Sequence, residues 1–314
     1  MFDCILQSIA AHERIILHRH LNPDGDALGS QIGLKHIILE NFPRKQVCMV
    51  GDDAKRYGFM EDSRMDEVPD SFYQGALAII LDTSAKALIS DGRYVLAQAT
   101  ARFDHHIFCE AIAQAEAVDP SYESCCGLIA DFARTCGLRV PPLAAQALFT
   151  GMVTDSGRFR YDSVTARTFS LAAFLMEQPF DTTELYRNLY ASDYEQAKLR
   201  AQFVLKIQFT PHQVAYIYTS KEEAAALNAD IFTLSRGMVG VMADLEGVDI
   251  WVNFTETEAG VLCELRSSRY NINPIAVKHG GGGHAKASGA TVKTREEALL
   301  MLEELDQLTA REAQ

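Results

Sequence analysis

The chain has 314 residues, of which 48% are hydrophobic and 23% charged, a length and mix typical of a globular protein of about two domains. No apolar stretch reaches the roughly 20 residues that a membrane span needs, and the N-terminus lacks the basic and apolar regions of a secretory signal. The net charge of −13 argues against a coat for long nucleic acid, because such proteins carry a basic surface. Membrane proteins, secreted miniproteins and low-complexity tails are therefore excluded.

The cysteine pattern points to a reducing compartment. Seven cysteines are spaced irregularly, and no pair has the Cys-x-x-Cys spacing. This pattern argues against a disulfide framework and against a structural zinc site. We predict reduced, mostly buried thiols in a cytoplasmic protein.

The first part of the chain alternates between patterns typical of strands and of helices. Continuous apolar runs predict buried strands, and apolar residues at helical spacing predict helices. This alternation predicts an α/β fold whose parallel sheet is covered by helices on both faces. Strands are predicted at residues 14–18, 46–50 and 76–81, and helices at 27–41, 124–136 and 143–154, with a proline breaker at 141–142.

The pattern changes after a polar, tyrosine-bearing helical stretch at 184–206. The segments that follow predict a smaller α+β unit with its own core. Its predicted strands lie at 213–219, 248–254 and 261–267, and its last helix at 295–308. We therefore predict a first domain at 1–190, a helical connector at 191–206 and a second domain at 207–314.

Four clusters of chemically active side chains follow predicted elements of the first domain. Taken alone, each cluster fits a helix N-cap, a polar turn, a surface loop or a helix stop. Because ligand sites of open α/β sheets lie at the carboxyl ends of strands, we predict that the clusters meet in one site. Their members are His20, Asp24 and Asp26, then Asp82, then Asp104, His105 and His106, and finally Asp155.

This set of side chains predicts a dinuclear metal site. Four carboxylates packed together repel one another strongly unless cations neutralise them. Carboxylates mixed with imidazoles suit Mn²⁺ or Mg²⁺ better than copper. Two such cations about 3.5–4 Å apart form the usual clamp for phosphoryl transfer.

A basic segment in the second domain predicts a phosphate-binding site. Residues 266–295 contain six basic residues and no acidic residue, and they include the glycine run 280–283 before His284. Successive backbone N–H groups of glycines can form a nest for an anion, whereas a glycine run alone is more often a flexible loop. Arg158 and Arg160, just after Asp155, are further candidates for contact with phosphate, with a solvent-facing position as the alternative.

The motifs of this chain resemble those of the DHH phosphoesterase superfamily, in the branch with a C-terminal DHHA1 domain. The first four motifs stand as HLNPDGDALGS, LDTS, FDHH and GMVTDSGRFRY, in the family's order, and the C-terminal one as GGGGHAKASG. The resemblance covers nearly the whole chain, and its length and plan are similar to those of the nano-RNases. It implies a DHH domain with a parallel sheet, a smaller DHHA1 domain and an active site in the cleft between them. It also implies a cytoplasmic enzyme that degrades di- to pentaribonucleotides and often also 3′-phosphoadenosine 5′-phosphate (pAp), with no long nucleic-acid track and no membrane attachment.

The resemblance also implies roles for single residues. His106 would face the scissile phosphate, with Asp104 orienting a ligand, and two Mn²⁺ or Mg²⁺ ions would activate a water. His106 and Arg158 would stabilise charge on the transferring phosphoryl group. One cation would be held by His20, Asp24 and Asp82, and the other by Asp26, Asp82, His105 and Asp155, so that Asp82 bridges. A terminal phosphate and a base would be held by Arg266, Ser268, Arg269, Gly282, Gly283 and His284.

Two departures from the family pattern concern the substrate pocket. Cys109 stands where many members have asparagine, and residues 124–126 read Ser-Cys-Cys where a pair of small hydroxyl residues is usual. Neither position is an implied metal ligand, so the departures affect the expected shape of the pocket and not the metal core.

Several other functions stay open from the sequence. The same metal chemistry serves phosphodiesterases for linear or cyclic dinucleotides, although members with membrane and sensor segments are longer at the N-terminus. A RecJ-like exonuclease predicts an added nucleic-acid-binding domain, and inorganic pyrophosphatases lack the glycine-rich motif. A nucleotide-binding regulator without turnover is the alternative of another class. The substrate order, cleavage polarity and any homodimer are left undetermined.

Overall fold

The computed structural model describes residues 2–312, so the predicted domain bounds at residues 1 and 314 lie outside it. The chain divides into two compact units, one ending at Ala191 and the next beginning at Ser192. No helix within residues 2–312 has both the length and the apolar character that a bilayer crossing requires.

The first unit is built on a five-stranded parallel sheet. Its strand order is β2-β1-β3-β4-β5, which confirms the predicted α/β architecture. β3 is buried along its whole length, as expected for a strand covered on both faces. The strands are β1 (Arg14–His18), β2 (Gln46–Met49), β3 (Leu77–Leu81), β4 (Ala99–Asp104) and β5 (Ala115–Val118).

Six α-helices lie in the described part of this unit. α2 is buried from Gly25 to Leu34, and small residues let it pack closely, since a Cβ on Gly29 would lie 2.5 Å from the carbonyl oxygen of Ala147 in α4. Pro142, expected as a breaker, opens α4, where its missing N–H costs nothing. The helices are α1 (Asp3–Ala11), α2 (Gly25–Asn41), α3 (Cys125–Thr135), α4 (Pro142–Asp155), α5 (Ala166–Met176) and α6 (Thr182–Tyr190).

The predicted single helical stretch at 184–206 is divided. α6 ends at Tyr190, and α7 (Tyr194–Leu205) begins after Asp193, whose carboxylate accepts a hydrogen bond from the backbone N–H of Gln196. An N-cap of this kind starts a new helix and does not continue the old one. The break coincides with the boundary between the two units.

The second unit has a six-stranded mixed sheet in the order β10-β11-β9-β8-β7-β6. Only β7 and β8 run parallel among its pairs, and the rest are antiparallel, so the unit is of the predicted α+β type. The helices are α8 (Lys221–Ala226), α9 (Asn273–Lys278) and α10 (Arg295–Glu312). The strands are β6 (Gln208–Phe209), β7 (Ala215–Thr219), β8 (Ile250–Thr257), β9 (Gly260–Ser267), β10 (Gly282–His284) and β11 (Ala287–Val292).

The last residue of β1 gives the first unit a pH-dependent stability. His18 is fully buried between the rings of Tyr73 and Tyr94, and its Nδ1 lies 3.1 Å from the carbonyl oxygen of Asp91. Burial lowers the pKa of His18 to about 4. Because the pKa in the unfolded chain is about 6.5, protonation favours unfolding, and His18 stabilises the fold fully above pH 6.5.

We expect this stabilisation to be lost as the pH falls from 6.5 to about 4. The lost free energy of unfolding is about 3 kcal/mol for such a difference in pKa. The free energy of unfolding can be measured by urea unfolding followed by circular dichroism at pH 7 and at pH 4. Between these two pH values it should fall by about 3 kcal/mol more in the wild type than in His18→Phe. An equal decrease in both proteins would contradict a buried neutral His18.

Candidate metal centre

The predicted site residues lie at the carboxyl edge of the parallel sheet. His20 follows β1, Asp82 follows β3 and His105 follows β4, and these three strands are neighbours in the sheet. In a sheet of this order the β1/β3 position is the switch point at which ligands bind. Asp24 and Asp26 begin α2, and Asp155 is the last residue of α4.

His20, Asp24 and Asp82 form one group of potential metal ligands, with their donor atoms within 4.8 Å of one another. The Nε2 of His20 lies 3.4 Å from Oδ2 of Asp82 and 3.9 Å from Oδ1 of Asp24. The Nδ1 of His20 lies 2.7 Å from the carbonyl oxygen of Leu21. Because a carbonyl oxygen only accepts, Nδ1 carries the proton and Nε2 is left to face the carboxylates.

His105, Asp26 and Asp155 form a second group of the same kind. The Nε2 of His105 lies 3.8 Å from Oδ2 of Asp26, 3.3 Å from Oδ2 of Asp155 and 3.5 Å from Oδ1 of Asp82. Its Nδ1 faces the carbonyl oxygen of Tyr122 at 3.4 Å, which again leaves Nε2 for the cluster. Asp82 thus has one oxygen toward each of the two groups.

The helix α3 holds Asp26 in place. The backbone N–H groups of Cys125 and Cys126 donate to the two oxygens of the Asp26 carboxylate at 2.7 and 2.8 Å. These are N-terminal amides of a helix, where a negative charge is favoured. Both thiols are fully buried. The cysteine pair at 125–126 therefore contributes its backbone N–H groups to the site, and its side chains do not line a pocket.

A buried arginine fixes the loop that carries His20 and Asp24. Arg19 is fully buried and donates to the carbonyl oxygen of His20 at 3.2 Å and to Oδ1 of Asp52 at 2.8 Å. Asp52 in turn accepts from the backbone N–H of Asn22 at 2.9 Å. Burial acts to raise the pKa of Asp52, but its hydrogen bonds from Ser90, Arg19 and Asn22 outweigh burial and lower that pKa to about 2. The Asp52 carboxylate that pairs with Arg19 therefore stays charged.

His106 is oriented by a chain of two buried charged residues. Its Nδ1 donates to Oδ1 of Asp104 at 2.7 Å, and the other oxygen of Asp104 accepts from Arg102 at 2.5 Å. Arg102 and Asp104 are fully buried, whereas the His106 side chain is 42% exposed. The hydrogen bond to Asp104 raises the pKa of His106. The geometry therefore leaves Nε2 of His106 available to a ligand.

The cluster shows the mutual influence of closely packed charges. Burial acts to lower the pKa of both His20 and His105, but the neighbouring carboxylates outweigh it and raise each pKa to about 11. Burial, with Asp82 and Asp24 adding to it, raises the pKa of Asp155 to about 7. The histidines thus hold protons that a metal ion would displace, as is general for metal sites.

The donor set fits divalent cations. Oδ1 of Asp82 is buried and has no hydrogen-bond partner among the described residues, an orphaned anionic oxygen that a cation would satisfy. Two imidazole nitrogens and four carboxylates match the ligand preference of Mn²⁺ and Mg²⁺. The backbone of Asp82 has φ +49°, a strained conformation of the kind that functional sites retain.

Two family models match the chain. The model of the DHH family, N-terminal domain, matches residues 14–152, and the model of the DHHA1 domain matches residues 228–311. The chain is also 36% identical over 290 residues, covering 92% of it and 93% of the relative, to the probable bifunctional oligoribonuclease and PAP phosphatase NrnA of Streptococcus mutans. This chain belongs to the DHH phosphoesterase family.

Two further proteins match nearly the whole chain. The bifunctional oligoribonuclease and PAP phosphatase NrnA of Bacillus subtilis is 31% identical over 307 residues, 97% of each chain. A crystal structure of an exopolyphosphatase-related protein from Bacteroides fragilis superimposes with a TM-score of 0.86, covering 98% of this chain and 95% of that one at 23% identity. The latter likeness establishes the fold. DHH phosphoesterases are metal-dependent, in agreement with the donor set of the cluster.

The predicted substrate residues of the DHHA1 unit lie on β9 and β10 and in the turn after β9. Arg266 pairs with Glu264 at 3.1 Å, and Ser268 donates to Asp249 at 2.9 Å. Lys278 pairs with Glu304 at 2.8 Å. Acidic residues from outside 266–295 therefore neutralise part of the basic charge that the sequence segment carries. The guanidinium of Arg269 lies over the ring of Tyr270 at 5.7 Å.

The glycine run is not an open loop. Gly282 and Gly283 pair with β11, and His284 ends the strand. A Cβ on Gly281 would lie 2.1 Å from the carbonyl oxygen of Gly289, and one on Gly283 would lie 2.6 Å from that of Ala287, so strand packing explains these two glycines. A Cβ on Gly280 or on Gly282 would meet nothing within 4 Å, so these two glycines are open to close approach by a ligand.

The arginines after Asp155 stand outside the cluster. Arg158 is exposed, and its guanidinium carbon lies 3.5 Å from the centre of the Tyr190 ring. Arg160 is also exposed. Cys109 is exposed as well, and its thiol donates to the carbonyl oxygen of Ile107 at 3.3 Å. Whether these residues contact substrate stays a prediction.

Sequence reasoning missed the residues that hold the ligands. Arg19 and Arg102 are buried charges that position His20 and Asp104. A signal for both was present, since each arginine lies within or beside an apolar strand segment where a charge has no packing reason. Asp52 had no such signal, because it lies in an ordinary polar turn.

Proposed function

We propose that this protein hydrolyses very short oligoribonucleotides to nucleoside monophosphates and hydrolyses pAp to AMP. The observation that carries the proposal is the cluster in which Asp82 lies between two carboxylate–imidazole groups. Two such groups side by side suit a two-metal phosphoesterase. The names of the S. mutans and B. subtilis relatives, which match over nearly their whole length, support the same substrates.

We further propose the two ligand sets and the identity of the ions. His20, Asp24 and Asp82 would hold one cation, and Asp26, Asp82, His105 and Asp155 the other. When bound, two Mn²⁺ ions would clamp the scissile phosphate and supply an activated water. The mixed carboxylate and imidazole ligands favour Mn²⁺ over Mg²⁺, which prefers oxygen ligands.

The chain's own contribution to the chemistry lies mainly in His106. Asp104 holds a proton on Nδ1, and when the ring is doubly protonated it also presents an N–H at Nε2. From this atom His106 donates a hydrogen bond to an oxygen of the phosphoryl group, where negative charge develops. The hydrogen bond to Asp104 raises the pKa of His106 and so favours this doubly protonated ring, whose Nε2 proton can pass to the leaving oxygen.

The second unit would bind the rest of the substrate. We propose that Arg266, Ser268, Arg269, Gly282, Gly283 and His284 hold a terminal phosphate and a base. Gly282 supports this, because its Cβ position is open and a backbone without side chains can approach a phosphate closely. A few such contacts would allow an acidic protein to act on short RNA without a long basic track.

The cysteines support a cytoplasmic location. All seven are free thiols in the described part of the chain. Reduced cysteines are the rule in compartments kept reducing by glutathione and thioredoxin. We therefore propose that the enzyme works in the cytoplasm, where short RNA fragments are produced by degradation of longer RNA.

The proposal predicts a preference for short substrates. Product release with Mn²⁺ or Mg²⁺ is measured for a 5′-phosphorylated diribonucleotide, for pAp and for a long single-stranded RNA. We expect mononucleotide from the two small substrates, slow cleavage of the long RNA and faster turnover with Mn²⁺. Asp82→Ala is the control without activity.

Two results would contradict the proposal. Cleavage of the long RNA as fast as of the dinucleotide would indicate a general exonuclease. Binding of metal without turnover of any of the three substrates would direct the search to cyclic dinucleotides or to a binding role.

A further inference from the structure

The turn after Asp155 has an unusual backbone. Gly157, Arg158 and Phe159 have φ values of +58°, +63° and +61°, so three consecutive residues are left-handed. A residue with a side chain is strained in this conformation, because its Cβ lies too close to the following carbonyl oxygen. Strain of this kind persists where the surroundings hold the backbone, and it clusters at ligand-binding sites.

Buried contacts hold this turn rigidly. The hydroxyl of Ser156, which is fully buried, accepts from the backbone N–H of Phe159 at 2.9 Å and donates to the carbonyl oxygen of Met152 at 2.5 Å. The ring of Phe159 packs against those of Phe149 and Phe169, with centroids 5.9 and 5.6 Å away. The backbone of the residue between Gly157 and Phe159 is therefore fixed.

That residue, Arg158, presents a charge that the protein itself does not use. Its guanidinium stacks on Tyr190 at 3.5 Å, and among the described residues it makes no hydrogen bond or ion pair, although Asp155 is three positions earlier. A stacked guanidinium keeps the N–H groups on its edge free, and their planar fork matches phosphate oxygens. Ring stacking also removes much of the entropy that binding would otherwise cost.

The stack lies close in the chain to one proposed metal ligand. Asp155 is the last residue of α4, and Arg158 follows it by three residues in the strained turn. The guanidinium faces the ring of Tyr190, and within residues 2–312 it makes no ion pair with the carboxylates where the scissile phosphate would bind.

We propose that Arg158, held on Tyr190, binds the substrate phosphate next to the scissile one and so determines specificity for oligoribonucleotides of three or more residues. The inference rests on the proposed function. A 5′-phosphorylated diribonucleotide has a terminal phosphate, proposed for Arg266 and Arg269, and a scissile phosphate. A third nucleotide adds one more phosphate, and this is the first phosphate that is free to bind Arg158. Arg158 is on this basis a specificity residue and not the transition-state group that the sequence predicts.

The test compares 5′-phosphorylated di- and triribonucleotides. For Arg158→Gln we expect KM for the first cleavage of the trinucleotide to rise about tenfold, the loss of one charge-assisted contact, with kcat unchanged and the dinucleotide unaffected. Arg158→Lys should recover part of the affinity, because lysine keeps the charge without the fork. Tyr190→Phe keeps the aromatic ring and should leave KM for the trinucleotide at the wild-type value. Tyr190→Leu removes the ring and should raise this KM as Arg158→Gln does. Arg187→Gln, which removes an exposed charge from the same helix as Tyr190, should change neither substrate.

Two kinetic outcomes would overturn this assignment. An equal loss of kcat on both substrates would mean that Arg158 acts on the scissile phosphoryl group, and unchanged KM values would mean that it contacts no phosphate. Equilibrium titration of both oligonucleotides into His106→Asn, with and without Arg158→Gln, measures the preference for the third phosphate without turnover. Absence of cleavage by wild type would then refute the proposed function, whereas equal affinities would refute the role of Arg158.

Discussion

Asp82→Asn is expected to lower kcat/KM for a short oligoribonucleotide by at least about 10³-fold, since removing a metal clamp raises the barrier by several kcal/mol. The two oxygens of Asp82 lie 3.4 Å from Nε2 of His20 and 3.5 Å from Nε2 of His105. An amide keeps the shape but supplies one oxygen and no charge. The bound metal, measured by mass spectrometry after gel filtration, should fall below two ions per chain.

A matched variant separates this loss from a general effect of removing an aspartate. Asp62 lies in the same unit and pairs with Lys35 and His36 at 2.8 and 2.9 Å, away from the cluster. Asp62→Asn should keep both ions and the wild-type rate. Full metal content together with wild-type activity in Asp82→Asn would show that Asp82 is not the bridging ligand.

Arg102→Met is expected to lower the free energy of unfolding by about 3–5 kcal/mol, because it leaves a buried charge without its partner. Arg102 and Asp104 are both fully buried and 2.5 Å apart. Arg102 also donates to the carbonyl oxygen of Glu110 at 3.1 Å, so it holds the loop that follows His106. Denaturant unfolding of the purified variant measures the loss.

A double variant tests the reason for this loss. In Arg102→Met with Asp104→Asn neither charge of this buried pair remains, so the double variant should be more stable than Arg102→Met alone. Arg134, paired with Asp131 at the surface at 2.8 Å, is the matched control, and Arg134→Met should cost less than about 1 kcal/mol. A loss in Arg102→Met no larger than in Arg134→Met would refute a structural role for the Arg102–Asp104 pair.

The meeting of the four clusters could be predicted because polar residues abruptly end apolar strands. β1 has an apolar centre and β3 is apolar throughout, and each is followed within two residues by a side chain of the cluster. Parallel strands bring such ends to one edge. A single site could therefore be predicted from the positions at which the strands end, without knowledge of the course of the loops.

β4 and β5 were missed because their charges are neutralised only in the folded state. β4 contains Arg102, and β5 contains Glu116, 3.4 Å away across the pair of strands. In sequence each charge interrupts a short apolar pattern and argues against a buried strand. The partner lies on another strand, so a pattern read along one segment does not reveal it.

The glycine run illustrates the same limit. Gly281 and Gly283 are needed because the backbone of β11 lies against them, and a phosphate nest was the interpretation available from composition. The acid-free segment likewise finds acidic partners beyond its ends, at Glu264 and Glu304. Local composition describes a charge but not what the fold places beside it.

The spread of the proposed metal ligands along the chain has a consequence for biosynthesis. They run from His20 to Asp155 and lie at the ends of β1, β3, β4 and α4 and at the start of α2. Domains fold as units during translation, and metal binding needs the ligands assembled. A nascent chain therefore has no complete site until α4 has left the ribosome. The proposed site can take up its ions, and with them support phosphoesterase activity, only after the sheet has formed.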